Sequence, residues 1–140
     1  MFYIDTSVIA AYYCPEPMSE TVEEFIIKIK QPAISYLTEI ELVSAISRKI
    51  REKNLSQTDG NKILTQFQSH IQQKMFRWLS LEQKHYQMGK NWISQFNTPL
   101  KTLDALHLAL ASTYNLTLLS ADIQLLKSAR FFGVDVSTIF

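Results

Sequence analysis

Phe2-Tyr3-Ile4-Asp5-Thr6-Ser7-Val8-Ile9-Ala10-Ala11-Tyr12-Tyr13 decides the fold: a short apolar run, a carboxylate, then a stretch of helical character halted at Cys14-Pro15-Glu16-Pro17. The apolar triplet reads as a strand, and the two prolines stop the helix that follows. The same unit recurs outward along the chain. Ser19 is placed to cap a helix with Val22, Phe25, Ile26 and Ile29 on its apolar stripe. Ala33 to Ser35 forms a second brief strand, followed by a helix from about Leu37 to Lys53 with Val43, Ile46 and Ile50 on its stripe. Ser56 opens a further helix through Ile63, Leu64, Phe67 and Ile71, Met75 to Leu79 reads as a third strand, and Gln83 to Phe96 is helical again before Thr98-Pro99.

Leu103 to Tyr114 is apolar nearly all round, so this helix is expected to be buried on more than one side. Leu116 to Leu119 is the next strand, Asp122 begins a helix ending near Gly133, and Val134 to Val136 is a last edge strand. Strands alternating with helical crossovers predict an α/β fold around a parallel sheet of four or five strands.

The chain has 140 residues, 46% of them hydrophobic, enough for one compact domain over 1–140 with a substantial core. Fourteen Lys and Arg against 13 Asp and Glu leave a net charge of +1, so any nucleic-acid footprint must be local. A single cysteine, Cys14, excludes an internal disulfide framework and a thiolate metal site, and fits a reducing compartment. The opening residues lack the cationic start and long apolar stretch of a signal peptide, and no run reaches the length of a membrane helix. A cytoplasmic location is the expectation.

The acidic residues fall at equivalent places in these units. Asp5 follows the first strand, Glu41 lies early in the helix after the second, and Asp122 follows the strand Leu116 to Leu119. In an open parallel sheet, ligands bind outside the carboxyl ends of the strands, so topology alone delivers these groups to one edge. Asp104, at the start of its buried helix, is placed to join them. Two carboxylates about 5 Å apart repel by roughly 3 kcal/mol at an effective dielectric near 20, and a divalent cation removes that cost. Oxygen-only ligands favour Mg²⁺ or Mn²⁺ over Zn²⁺, and such an ion polarises a phosphate and acidifies a bound water. Taken singly, however, Asp104 and Asp122 are also ordinary helix N-terminal acids.

Four segments carry a resemblance: Ile4-Asp5-Thr6-Ser7-Val8-Ile9, Ser35 through Glu41-Leu42, Asp104-Ala105 with Ala109 and Ala111, and Ser120-Ala121-Asp122. In this order and spacing they resemble the PIN-domain nucleases, most closely the VapC toxins of bacterial toxin–antitoxin pairs. The resemblance implies a three-layer α/β/α fold, Mg²⁺ or Mn²⁺ as cofactor, endoribonuclease activity on RNA, a small VapB-like antitoxin that blocks the site, and homodimerisation. Carried over residue by residue, the four catalytic and metal-binding acids fall on Asp5, Glu41, Asp104 and Asp122, with Ser7 and Ser120 in support. A helical wheel puts Glu39 nearer than Glu41 to the stripe of Val43, Ile46 and Ile50, whereas the family's Glu-Leu pair falls on Glu41-Leu42. Glu41 is assigned, and Glu39 stays a second candidate.

Arg48 and Lys101 are candidates for contact with substrate phosphate, although the basic stretch Arg48, Lys49, Arg51 and Lys53 also reads as a solvated helix end stabilised by the macrodipole. His107, one turn after Asp104, reads as a core histidine with a hydrogen-bond partner, and His70 and His85 as structural or exposed. Trp78 and Trp92 read as packing residues rather than base-stacking platforms. Rival readings are a haloacid-dehalogenase-like phosphatase, an inactive RNA-binding module of the same fold, and an RNA-processing nuclease outside any toxin–antitoxin pair. The phosphatase pattern D-x-D-x-T needs a second aspartate where Ser7 stands.

Overall fold

The computed structural model describes residues 1–139. Strand β1 (Phe2–Ile4) leads into α1 (Thr6–Tyr13) and α2 (Ser19–Lys28), and β2 (Ala33–Ser35) leads into α3 (Tyr36–Arg51) and α4 (Gln57–Gln72). Strand β3 (Arg77–Leu79) precedes α5 (Gln83–Ile93) and α6 (Thr102–Thr113), and β4 (Thr117–Ser120), α7 (Ile123–Phe131) and β5 (Val136–Thr138) follow. The five strands form one sheet in the order β3-β2-β1-β4-β5, parallel at every pairing. The strand order reverses at β1, which puts the topological switch point between β1 and β4.

Strand periodicity builds the three layers. Ile4, Ile34 and Leu119 enter one core with residues of α1–α4, whereas their neighbours Tyr3, Ala33 and Leu118 enter a second core with residues of α6 and α7, against which Trp92 and Ile93 of α5 pack. The sheet is therefore covered on both faces, as a parallel sheet requires. Helix α6 is buried over Ala105 to Ala111, as its uniformly apolar composition predicts. Gly133 adopts a φ of +76° just beyond α7, the left-handed backbone for which glycine is suited at a helix end.

Three local expectations need correction. Ser19 is the first residue of α2 rather than its cap, because its hydroxyl accepts from the Glu16 N–H and donates to the Cys14 carbonyl, pinning the proline-containing loop. The edge strand begins at Val136, not Val134, since Val134 turns into the core and its N–H donates to the Ala129 carbonyl at the end of α7. In α3 the buried face is Thr38, Leu42 and Ile46, while Val43 is 42% exposed. The shift of that face places Glu41 on the flank that meets α1 and α6.

Candidate active site

Each acid arrives on a different connection at the carboxyl edge of the sheet. Asp5 continues β1, its N–H donates to the Leu119 carbonyl at 3.1 Å, and it caps α1 by accepting from the Ser7 N–H at 2.9 Å. It is 5% exposed. Its second oxygen accepts from the Ser7 hydroxyl at 2.8 Å and from the Ser120 hydroxyl. Ser120 in turn accepts from the Asp122 N–H at 2.9 Å, and Ser7 from the Ala121 N–H at 3.2 Å, so the two serines tie β1 to the end of β4. Asp122 caps α7, one oxygen accepting from the N–H groups of Gln124 and Leu125.

Glu41 extends from α3, where Thr6 donates to its Oε1 at 2.9 Å and His107 Nε2 contacts the same oxygen. Burial alone would raise its carboxyl, but the hydrogen bond and charge of His107 and the Thr6 hydroxyl hold it below the usual carboxylate range. Glu39 goes elsewhere: it lines a cleft with Tyr36, Gln68, Ile71, Lys74, Phe76 and Trp78 beside the β3 edge.

Asp104 stands in the first turn of α6. Burial, reinforced by the negative charges of Asp5, Asp122 and Glu41 and opposed by His107, pushes its carboxyl up to about 6. Asp104 and Asp122 line a cavity of ≈ 300 Å³ with Pro99, Leu100, Lys101, Gln124, Leu125 and Ser128. Glu41, Thr6 and Ser7 line a second cleft that also includes Arg48 and Leu103. Both predicted cationic side chains therefore border the acidic edge, although Arg48 also lies 3.7 Å from Glu52 on the exposed face of α3.

The donor chemistry fits a hard divalent cation, since Glu41 Oε2, the second oxygen of Asp122 and both oxygens of Asp104 face no protein donor among the described residues. No three His, Cys, Asp or Glu side chains among those residues converge as direct ligands of one ion. A hydrated Mg²⁺, which keeps several waters and takes only one or two carboxylates directly, asks for no such cage.

Sequence reasoning missed Thr6, Tyr3 and Ser35 as parts of the site. The one available signal was the spacing of Asp104 and His107, which lie on the same helix face. Ser120 tests the hydrogen-bonded frame: Ser120→Ala should lower unfolding stability by about 1–3 kcal/mol, because Asp5 and the Asp122 N–H each lose a buried partner. Urea unfolding followed by tryptophan fluorescence reads this directly, and an unchanged midpoint would show that the serine contributes nothing to the frame.

The model of the PIN domain family matches residues 2–131. No curated protein matches the sequence. Similar folds occur in FitAcB from Neisseria gonorrhoeae (TM-score 0.77, 20% identity, 99% of this chain and 98% of that one). VapBC2 from Rickettsia felis, bound to a promoter DNA fragment, gives a TM-score of 0.70 at 19% identity over 99% and 98% of the two chains. Mycobacterium tuberculosis VapC20, described as a sarcin–ricin loop cleaving toxin, gives 0.72 at 13% identity over 96% of each chain.

Proposed function

We propose that this chain, which belongs to the PIN-domain family, is a Mg²⁺-dependent endoribonuclease that acts as the toxin of a VapBC-type toxin–antitoxin pair. The observation that carries the reading is the cavity at the carboxyl edge of the sheet that Asp104, Asp122 and Lys101 line, with Asp5 and Glu41 held on neighbouring connections. Similar folds in a toxin–antitoxin complex from Klebsiella pneumoniae and in a toxin described as cleaving the sarcin–ricin loop support RNA as substrate and a small antitoxin as partner. No helix among the described residues is long and apolar enough to cross a membrane, which accords with action in the cytoplasm. A homodimer is the proposed assembly.

Asp5, Glu41, Asp104 and Asp122 would hold Mg²⁺, or Mn²⁺ in its place, directly or through water, and the ion would supply polarisation of a phosphate and a lowered pKa for a bound water. The protein's own part is to hold the acids. Ser7 and Ser120 fix Asp5, Thr6 and His107 fix Glu41, and the first N–H groups of α7 fix Asp122. Asp104 is left to turn toward charge. Lys101, on the rim of the cavity that Asp104 and Asp122 share, is placed to meet the substrate backbone.

Cleavage of a mixed RNA in Mg²⁺ should leave 5′-phosphate and 3′-hydroxyl ends and stop in EDTA. Glu39→Gln should cleave like the wild type, since Glu39 lies on the other flank of α3. Cyclic-phosphate ends formed equally well in EDTA would sink the mechanism.

A further inference from the structure

We propose that His107 is a positioning residue that fixes the carboxylate of Glu41 through a buried hydrogen-bond relay and leaves one oxygen of that carboxylate to face the cation. The inference rests on the reading of Glu41 as a cation ligand. The relay starts at Ser35, the last residue of β2, whose hydroxyl lies 2.8 Å from the Tyr3 hydroxyl. Tyr3 on β1 lies 2.6 Å from His107 Nδ1, and His107 Nε2 meets Glu41 Oε1. Ser35 also caps α3, with its N–H donating to the Thr38 hydroxyl at 3.2 Å. The path therefore leaves the start of α3, crosses two strands and α6, and returns to α3 at Glu41.

Burial holds this path in place. Tyr3 and Ser35 are 0% exposed and His107 is 1% exposed. An ionised carboxylate only accepts, so Nε2 carries a hydrogen toward Glu41 whichever form the ring takes, and Nδ1 faces the Tyr3 hydroxyl, which can donate or accept. The Tyr3 hydroxyl bridges His107 Nδ1 and the Ser35 hydroxyl. A ring turned to aim a lone pair at the carboxylate would lose this hydrogen bond inside a largely buried path. Thr6 and His107 both occupy Oε1, so Oε2 is the oxygen without a protein donor among the described residues. A glutamate loses rotamer freedom when it binds an ion, and ordering it beforehand lowers that cost.

Mn²⁺ binding to the RNA-free protein, measured by titration calorimetry, tests the inference apart from turnover. His107→Leu should weaken Mn²⁺ binding about 10-fold, and His107→Gln, which restores an amide donor beside Glu41, should recover most of the loss. Tyr3→Phe removes only the hydroxyl that orients the ring and should weaken binding by a smaller factor. In a Glu41→Gln background, His107→Leu should have no added effect.

Wild-type affinity in folded His107→Leu, or an equal loss in the Glu41→Gln background, would overturn the inference. If His107→Leu fails to fold, Tyr3→Phe decides, with unchanged affinity overturning the relay. Wild-type affinity in Glu41→Gln would overturn the ligand assignment itself, and the relay with it, which separates the two failures.

Discussion

Asp104→Asn is expected to lower Mg²⁺-dependent RNA cleavage by about 10²–10³-fold and, in the same preparation, to raise the melting temperature of the metal-free protein. The two effects share one cause. The Asp104 carboxyl is raised to about 6 by burial and by Asp5 and Asp122, so the folded protein holds this proton more tightly than the unfolded chain does. A raised carboxyl contributes stability that is fully present below the ordinary aspartate value near 4 and is lost as pH climbs through about 6. Metal-free wild type should therefore weaken between pH 4 and 7 relative to Asp104→Asn, which cannot ionise.

Because Asp104 is partly exposed, solvent screening reduces the gain to about 1 kcal/mol, or roughly 2–5 °C for a chain of this size. Saturating Mg²⁺ should raise the wild-type melting temperature and leave the variant nearly unmoved. Thermal scans at pH 4.5 and 7.5, with and without Mg²⁺, read all four conditions. A variant less stable than wild type at pH 7.5 would show that Asp104 is held by contacts rather than repelled.

Asp5→Asn should abolish cleavage to a similar degree with the opposite effect on stability. Asp5 is deeply buried and fully engaged, with one oxygen accepting from the Ser7 N–H and the other from the Ser7 and Ser120 hydroxyls. An amide turns its NH₂ donor either to the two hydroxyls or to the Ser7 N–H, so at least one buried donor loses its partner at a cost of about 1–3 kcal/mol. Chemical unfolding and cleavage assays on the same material measure both. Two acids of one site thus differ in sign: one is strained by its neighbours, the other is anchored by them. Wild-type cleavage by Asp5→Asn would exclude the proposed site altogether.

The order of elements and the placement of the acids were legible because both rest on local pattern. Apolar triplets mark the strands, proline pairs and glycine mark the stops, and a carboxylate after a parallel strand has one edge to occupy. The errors were local competitions that periodicity does not resolve. Ser19 serves a loop instead of a helix end because two loop backbone groups reach its hydroxyl first. Val43 fits the apolar wheel of α3 yet faces outward, because Thr38 and Leu42 turn toward the sheet and the capping box at Ser35 sets the helix rotation.

By itself the sequence determined a parallel α/β arrangement and set Asp5, Glu41 and Asp122 on connections that follow parallel strands, since hydrophobic period and chain connectivity are properties of neighbouring residues. Only the tertiary structure decided that Glu41, and not Glu39, meets Thr6 and His107, and that the core residue His107 joins Tyr3 to Glu41. Those outcomes depend on pairs 66 and 104 residues apart, Glu41 with His107 and Tyr3 with His107. Such contacts are selected when packed layers fix the distance and direction between side chains, which no local period encodes.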